Sequence, residues 1–178
     1  MMKKWKLSNK KEVLKAKIFK YFTVDVESEV THKQGTFDII ASFDWVNILA
    51  LNKAGQFILV KQYRAGTDSI TYEFAAGGME IGEEPLVSAK RELLEETGHT
   101  SSNWSHMLSV DVNPAFMVNK CHFFLAQDAT KTTDQSLDHL EEIEIIYKSK
   151  DEVLNMLDSG EISHSLVALG LNHYFRHN

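Results

Sequence analysis

Glu92, Glu95 and Glu96 are the residues best suited to chemistry in this chain. In a helix of about 3.6 residues per turn, positions i, i+3 and i+4 share one face. Like charges at that spacing destabilise a bare helix by a few tenths of a kcal/mol, so a positive group is expected to offset them. Three carboxylates with no sulfur or imidazole suit a hard divalent ion such as Mg²⁺ or Mn²⁺ better than zinc. The plainer alternative is a solvated acidic helix face, which is what most charge runs are. The flanking residues fit a helix. Pro85 suits the first turn, where its missing N–H costs nothing. Glu83 and Glu84 can complement the positive dipole end, and Gly98 is a left-handed stop. Leu86, Val87, Ala89, Leu93 and Leu94 offer an apolar stripe for a core.

The wider spacing favours the metal reading. Gly77, Glu83 and the run Arg91-Glu92-Leu93-Leu94-Glu95-Glu96-Thr97-Gly98 fit the Nudix box, with every charged and glycine position present. On these residues the chain resembles a Nudix hydrolase. His99 stands where that family usually carries an aliphatic residue, a position that packs rather than reacts. Outside the box, Gln62-Tyr63-Arg64 and Tyr72-Glu73-Phe74-Ala75-Ala76-Gly77 resemble the QYR and E-x-PAG segments of the ADP-ribose and sugar-nucleotide branch, with Ala75 in place of proline. Pro114 follows Gly98 by sixteen residues, a branch mark, although Ala115 replaces a frequent glycine. The acidic segment Asp138-His139-Leu140-Glu141-Glu142 precedes IEIIY, where the branch carries loop carboxylates.

The resemblance implies a role for each matching residue. Glu92 and Glu96, with the backbone carbonyl of Ala76, would hold the metal, and Glu95 would be a third ligand or share a bridging water. Arg91 would pair with these carboxylates and fix their rotamers. Gly77 and Gly78 would let backbone approach the phosphates, and Arg64 would grip the diphosphate through two N–H groups. The implied reaction is attack of water on one phosphorus of a nucleoside diphosphate joined to another moiety. The metal would acidify that water and neutralise the phosphate oxygens. A carboxylate must accept the proton; Glu141 is favoured, with Glu142 and His139 as alternatives and Glu95 as reserve. A nucleobase wants a flat partner, for which Trp45, Phe43 and Phe37 are candidates, though each is also an ordinary core residue.

The whole chain sets limits on this reading. Its 178 residues suit one domain, or one domain with an N-terminal extension, and can bury a core without staples. A 43% hydrophobic and 25% charged composition is that of a globular protein. The one cysteine, Cys121, forms no internal disulfide and suits a reducing, cytoplasmic setting. MMKKWKLSNK has no apolar run behind its basic residues, and no window reaches a membrane span. A formal charge of −6 argues against a nucleic-acid surface but not against a small anionic substrate, because a bound metal can invert the local field.

Taken in order, strands are expected at Lys17–Val26 and Phe37–Phe43, with SEVTHKQG between them and Gly35 as its turn residue. WVNILAL and FILVKQYR read as a hairpin about Gly55. Further strands are expected at His106–Val112, Lys120–Ala126 and IEIIY, then helices at Asp151–Leu157 and Ser163–Phe175. This is an α/β arrangement. Resemblance refines it to a Nudix α/β/α sandwich over a mixed sheet, residues 43–178, preceded by a small β segment, residues 1–42. In relatives that segment builds a homodimer and reaches the partner's substrate site. The implied activity is Mg²⁺-dependent (Mn²⁺ as the alternative) hydrolysis of ADP-ribose or a related nucleoside diphosphate sugar, GDP-mannose included. Cleavage of dinucleoside polyphosphates or capped RNA is a different class, and Pro114 counts against it. A nucleotide-sensing module without catalysis normally shows box substitutions, and here every acidic position is intact.

Overall fold

Residues 3–178 are described by a computed structural model. The chain forms two compact units. The first runs to Asp44 and includes Val110–Cys121, a segment that the expected 42/43 boundary left with the second part. It holds a three-stranded antiparallel sheet in the order β1-β2-β3: β1 (Trp5–Lys15), β2 (Phe19–Ser28) and β3 (Gln34–Ser42). The added segment attaches through β3. The Ile40 N–H donates to the Phe116 carbonyl at 2.7 Å, and the Val118 N–H donates to the Ile40 carbonyl at 3.2 Å.

β1 was not expected, and its sequence shows why. Register shifts between Ser8 and Lys11 and between Glu12 and Leu14, with Asn9 at φ 48°, reset the alternation that begins at Trp5 and Leu7. The strand is exposed throughout, so no buried face marks it. The β2–β3 turn is also corrected. Gly35 lies inside β3 opposite Val26. The turn is made instead by the Ser28 hydroxyl, which accepts from the N–H groups of Val30 at 3.3 Å and Thr31 at 3.1 Å, with His32 at φ 55°.

The second unit is built on an eight-stranded sheet. Its strands are β4 (Trp45–Asn52), β5 (Phe57–Arg64), β6 (Ser69–Glu73), β7 (Ala75–Gly78), β8 (His99–Thr100), β9 (Asn103–Asp111), β10 (Lys120–Lys131) and β11 (Ile143–Lys148). The path β11-β5-β4-β10-β8 carries β6 on β5, β7 on β4 and β9 on β10. Val46–Leu51 and Phe57–Val60 are buried without alternation, the mark of strands covered on both faces. Successive residues point to opposite faces. Ile58 joins Val46, Ile48 and Ala75 against Ala89 and Leu93 of α1 (Pro85–Thr97). Phe57 meets Tyr174 and Phe175 of α3 (Ser165–His177). α2 (Lys150–Asp158) precedes α3 and starts with a full capping box, Ser149 with Glu152. Helices on both faces of the sheet make the α/β/α sandwich. Among the described residues no helix is long and apolar enough to cross a membrane.

The buried stripe of α1 differs from expectation. Ser88, Ala89, Glu92, Leu93, Glu96 and Thr97 face inward, whereas Val87 is 56% exposed and Leu94 36%. The helix thus turns two of its carboxylates, rather than two of its aliphatic residues, toward the protein.

Candidate active site

α1 begins at Pro85 after Glu84 and ends at Gly98, which takes φ 68° and donates its N–H to the Leu94 carbonyl. A side chain at Gly98 would also strike the Thr133 carbonyl. These stops fix the rotation of the helix and therefore the direction of its glutamates. Glu92 is 9% exposed and Glu96 4%. Burial pushes the Glu96 carboxyl up to about 8, against the pull of the Ala76 N–H, which donates to it at 3.0 Å. Burial also raises Glu92, and Glu95 and Glu141 add to that rise. Glu141 likewise raises Glu96, so the loop carboxylate is brought within electrostatic reach of both helix carboxylates. Glu95 is more open, with 44% of its side chain exposed.

Arg91 is held by more partners than expected. Its Nε and Nη2 donate to the two oxygens of Glu83 at 3.1 and 3.0 Å. Nη1 donates to Glu92 at 2.7 Å and to Glu95 at 3.1 Å, while Nη2 also reaches Ser88 and the Gly78 carbonyl. Glu96 is not among these partners. Glu83 therefore serves Arg91 rather than the helix dipole, and the guanidinium draws its carboxyl down to about 2.

Gly77 is constrained by Glu92 itself. A Cβ at this position would overlap the Glu92 carboxylate, so the glycine makes room for an acid rather than only for a phosphate. Gly77→Ala should therefore displace the Glu92 carboxylate, the far end of a flexible side chain, and weaken metal binding more than it lowers stability. Thermal melts and a calorimetric metal titration would check this; a variant matching the wild type in both would remove the requirement.

Arg64 points its Nε and Nη2 at Glu73, at 2.8 and 2.7 Å, and Glu73 also accepts from Thr71 at 2.6 Å. Burial opposes the Glu73 charge, but these bonds hold its carboxyl below the usual range. Glu73 was not foreseen as the residue that orients Arg64; the β5–β6 register pairs Arg64 with Ser69 and Glu73 with Val60, so the two meet only because the long arginine side chain reaches back along the shared face. Trp45 is half-buried and pairs with Gly78 across β4 and β7. Pro114 lies in an exposed turn of the N-terminal unit. Phe37 and Phe43, also in that unit, are 50% and 46% exposed. His99 is buried, its Nδ1 2.8 Å from the Thr97 carbonyl and its Nε2 3.2 Å from the Tyr147 hydroxyl; it packs, as expected of that position. His164 caps α3 by accepting from the Leu166 N–H. A cavity of about 580 Å³ opens beside Glu141, lined by Gln62, Tyr63, Ile70, Leu137 and Glu142.

Among the described residues no three His, Cys, Asp or Glu side chains already surround a common metal position. The donor chemistry nevertheless fits a hard divalent ion. The donors are oxygen only, two carboxylates are buried at a cost that a cation would relieve, and Arg91 supplies the positive charge between Glu92 and Glu95.

The sequence profile of the NUDIX domain matches residues 41–165. The chain belongs to the NUDIX family. It is 28% identical over 165 residues to the ADP-ribose pyrophosphatase of Bacillus subtilis (strain 168), covering 92% of this chain and 89% of that one. It is 28% identical over 144 residues to a GDP-mannose pyrophosphatase of Klebsiella pneumoniae, covering 76% and 71%. A crystal structure of an ADP compounds hydrolase superposes with a TM-score of 0.88 at 20% identity, over 99% of this chain and 95% of that one. That likeness confirms the Nudix fold. In this Nudix protein the box residues Gly77, Glu83, Arg91, Glu92 and Glu95 form one bonded and packed group, and Glu96 is held beside it by the Ala76 N–H.

Proposed function

We propose that this Nudix hydrolase cleaves the diphosphate of ADP-ribose or a related nucleoside diphosphate sugar, releasing a nucleoside monophosphate and a sugar phosphate. The observation that carries the reading is the buried pair Glu92 and Glu96 under the influence of Glu141. Glu92, Glu96, Glu95 and the Ala76 carbonyl hold Mg²⁺, or Mn²⁺ in its place. When bound, the ion acidifies water and offsets phosphate charge. Arg91 keeps the carboxylates in place through Glu83. Arg64, aimed by Glu73, donates to the diphosphate, beside backbone at Gly77 and Gly78. Glu141 takes the proton of the attacking water. Pro114 and Trp45 are assigned to substrate contact, Trp45 as the stacking partner for the base.

Similarity to the B. subtilis ADP-ribose pyrophosphatase supports ADP-ribose. Similarity to the GDP-mannose pyrophosphatase keeps GDP-mannose as the second reading. A panel of ADP-ribose, GDP-mannose, a dinucleoside polyphosphate and capped RNA with Mg²⁺, scored by released phosphomonoesters, separates them. Turnover confined to the last two would overturn the proposal.

The same reading includes a cytoplasmic homodimer in which residues 1–42 form part of the interface. Its support is the exposed Trp5, Leu7, Val13, Leu14, Ile18 and Phe37 of the N-terminal unit, more apolar surface than a small sheet leaves to water without a partner. Light scattering at micromolar protein should give twice the 20.3 kDa chain mass. A monomer active at the same dilution would refute it.

A further inference from the structure

The connection between β10 and β11, residues 132–142, carries Glu141, and its first half is fastened to α1. A helix ends with carbonyls that lack intrahelical partners. Here the loop supplies the donors. The Ser136 N–H donates to the Glu95 carbonyl at 2.8 Å, and the Thr132 N–H donates to the Gly98 carbonyl at 2.8 Å. The Gln135 side chain does more than cap. Its Nε2 donates to the Glu96 carbonyl at 2.6 Å and to the Ile143 carbonyl at 3.2 Å. One amide thus ties the last turn of the metal-binding helix to the loop stem and to the first residue of β11. Between these anchors only residues 137–142 remain, and within them the Asp138 N–H donates to the Glu141 carboxylate at 2.9 Å while the Glu141 N–H donates to the Asp138 carbonyl at 2.9 Å.

We propose that Gln135 is a positioning residue that sets the approach of Glu141 to Glu92 and Glu96, by joining both ends of the catalytic loop to α1. The inference rests on the reading of Glu141 as the general base. Gln135 touches neither substrate nor metal; it acts by limiting where the base can go. An angstrom of misplacement at a reacting group costs up to about 10²-fold in rate, so the amide matters although it lies outside the chemistry.

A double-mutant cycle tests this on the full-length enzyme with ADP-ribose at saturating Mg²⁺. Gln135→Leu should lower kcat by about tenfold or more with KM unchanged. In the Glu141→Gln background the same change should have no further effect, because the residue it positions no longer works. Gln135→Glu, of nearly equal volume but without N–H donors, should behave as Gln135→Leu and guards against a folding defect in either variant. Mn²⁺ affinity measured by calorimetry should be unchanged in both. Additive effects in the cycle, or a fall in Mn²⁺ affinity, would show a structural prop and overturn the proposal, as would wild-type kcat in both Gln135 variants. A Glu141→Gln enzyme with full kcat would instead refute the loop base, and this inference with it. A wild-type enzyme that leaves ADP-ribose and every other member of the substrate panel intact would refute the functional reading itself.

Discussion

Glu92→Gln and Glu96→Gln should each lower turnover by about 10³-fold or more while the fold survives. Several kcal/mol of charge stabilisation depend on the ion these residues hold, and each 1.36 kcal/mol is a factor of ten in rate. The fold survives because neither charge stabilises it without the ion. Glu96 ionises near pH 8 in the folded chain because burial disfavours its charge. An acid whose folded pKa exceeds its unfolded value, about 4.3 for glutamate, binds more protons when folded. Stability of the metal-free protein therefore falls as pH rises from about 4.5 to about 8. Glu96→Gln should remove most of that slope and melt higher than wild type at pH 8 in EDTA. Melts at pH 5 and pH 8, with turnover at saturating Mg²⁺, measure both effects. Near-full turnover in either variant would end the ligand assignment, and a wild-type melting profile in Glu96→Gln would end the account of its burial.

The box was legible because its demands are local. A helix with Pro85 at one end and Gly98 at the other places Glu92, Glu95 and Glu96 by spacing alone, and the hairpin about Gly55 is equally local. What sequence left open depends on partners far along the chain. Glu83 and Arg91 meet only once the chain before Pro85 folds back on the helix, so Glu83 looked like a dipole partner. Arg64 and Glu73 lie at opposite ends of the β5–β6 register, and only the reach of the arginine side chain brings them together. The stripe on α1 misled because aliphatic residues outnumber the positions the core can take; packing chose Ala89 and Leu93 and left Val87 and Leu94 outside. β1 escaped because its bulges break the period of two that marks a strand. Val110–Cys121 joined the N-terminal unit through backbone bonds to Ile40, which side-chain types do not announce.

Glu141→Gln should lower kcat by about 10²-fold or more and leave KM nearly unchanged, the pattern of a lost general base. Glu141 is favoured over its neighbours because its charge acts on both Glu92 and Glu96. The carboxylate is exposed and bonded to the Asp138 N–H, so it can leave that bond for a water without desolvation to overcome. Gln keeps the acceptor oxygen and the side-chain volume but cannot take a proton, which isolates the chemical step from loop shape. Some activity should persist, since the ion acidifies water without help. Glu142→Gln and His139→Asn, run in parallel on ADP-ribose and GDP-mannose, should stay close to wild type. If Glu142 or His139 alone governs kcat, the loop supplies the base from a different register. If none of the three matters, Glu95, the most open of the box carboxylates, is the next residue to replace.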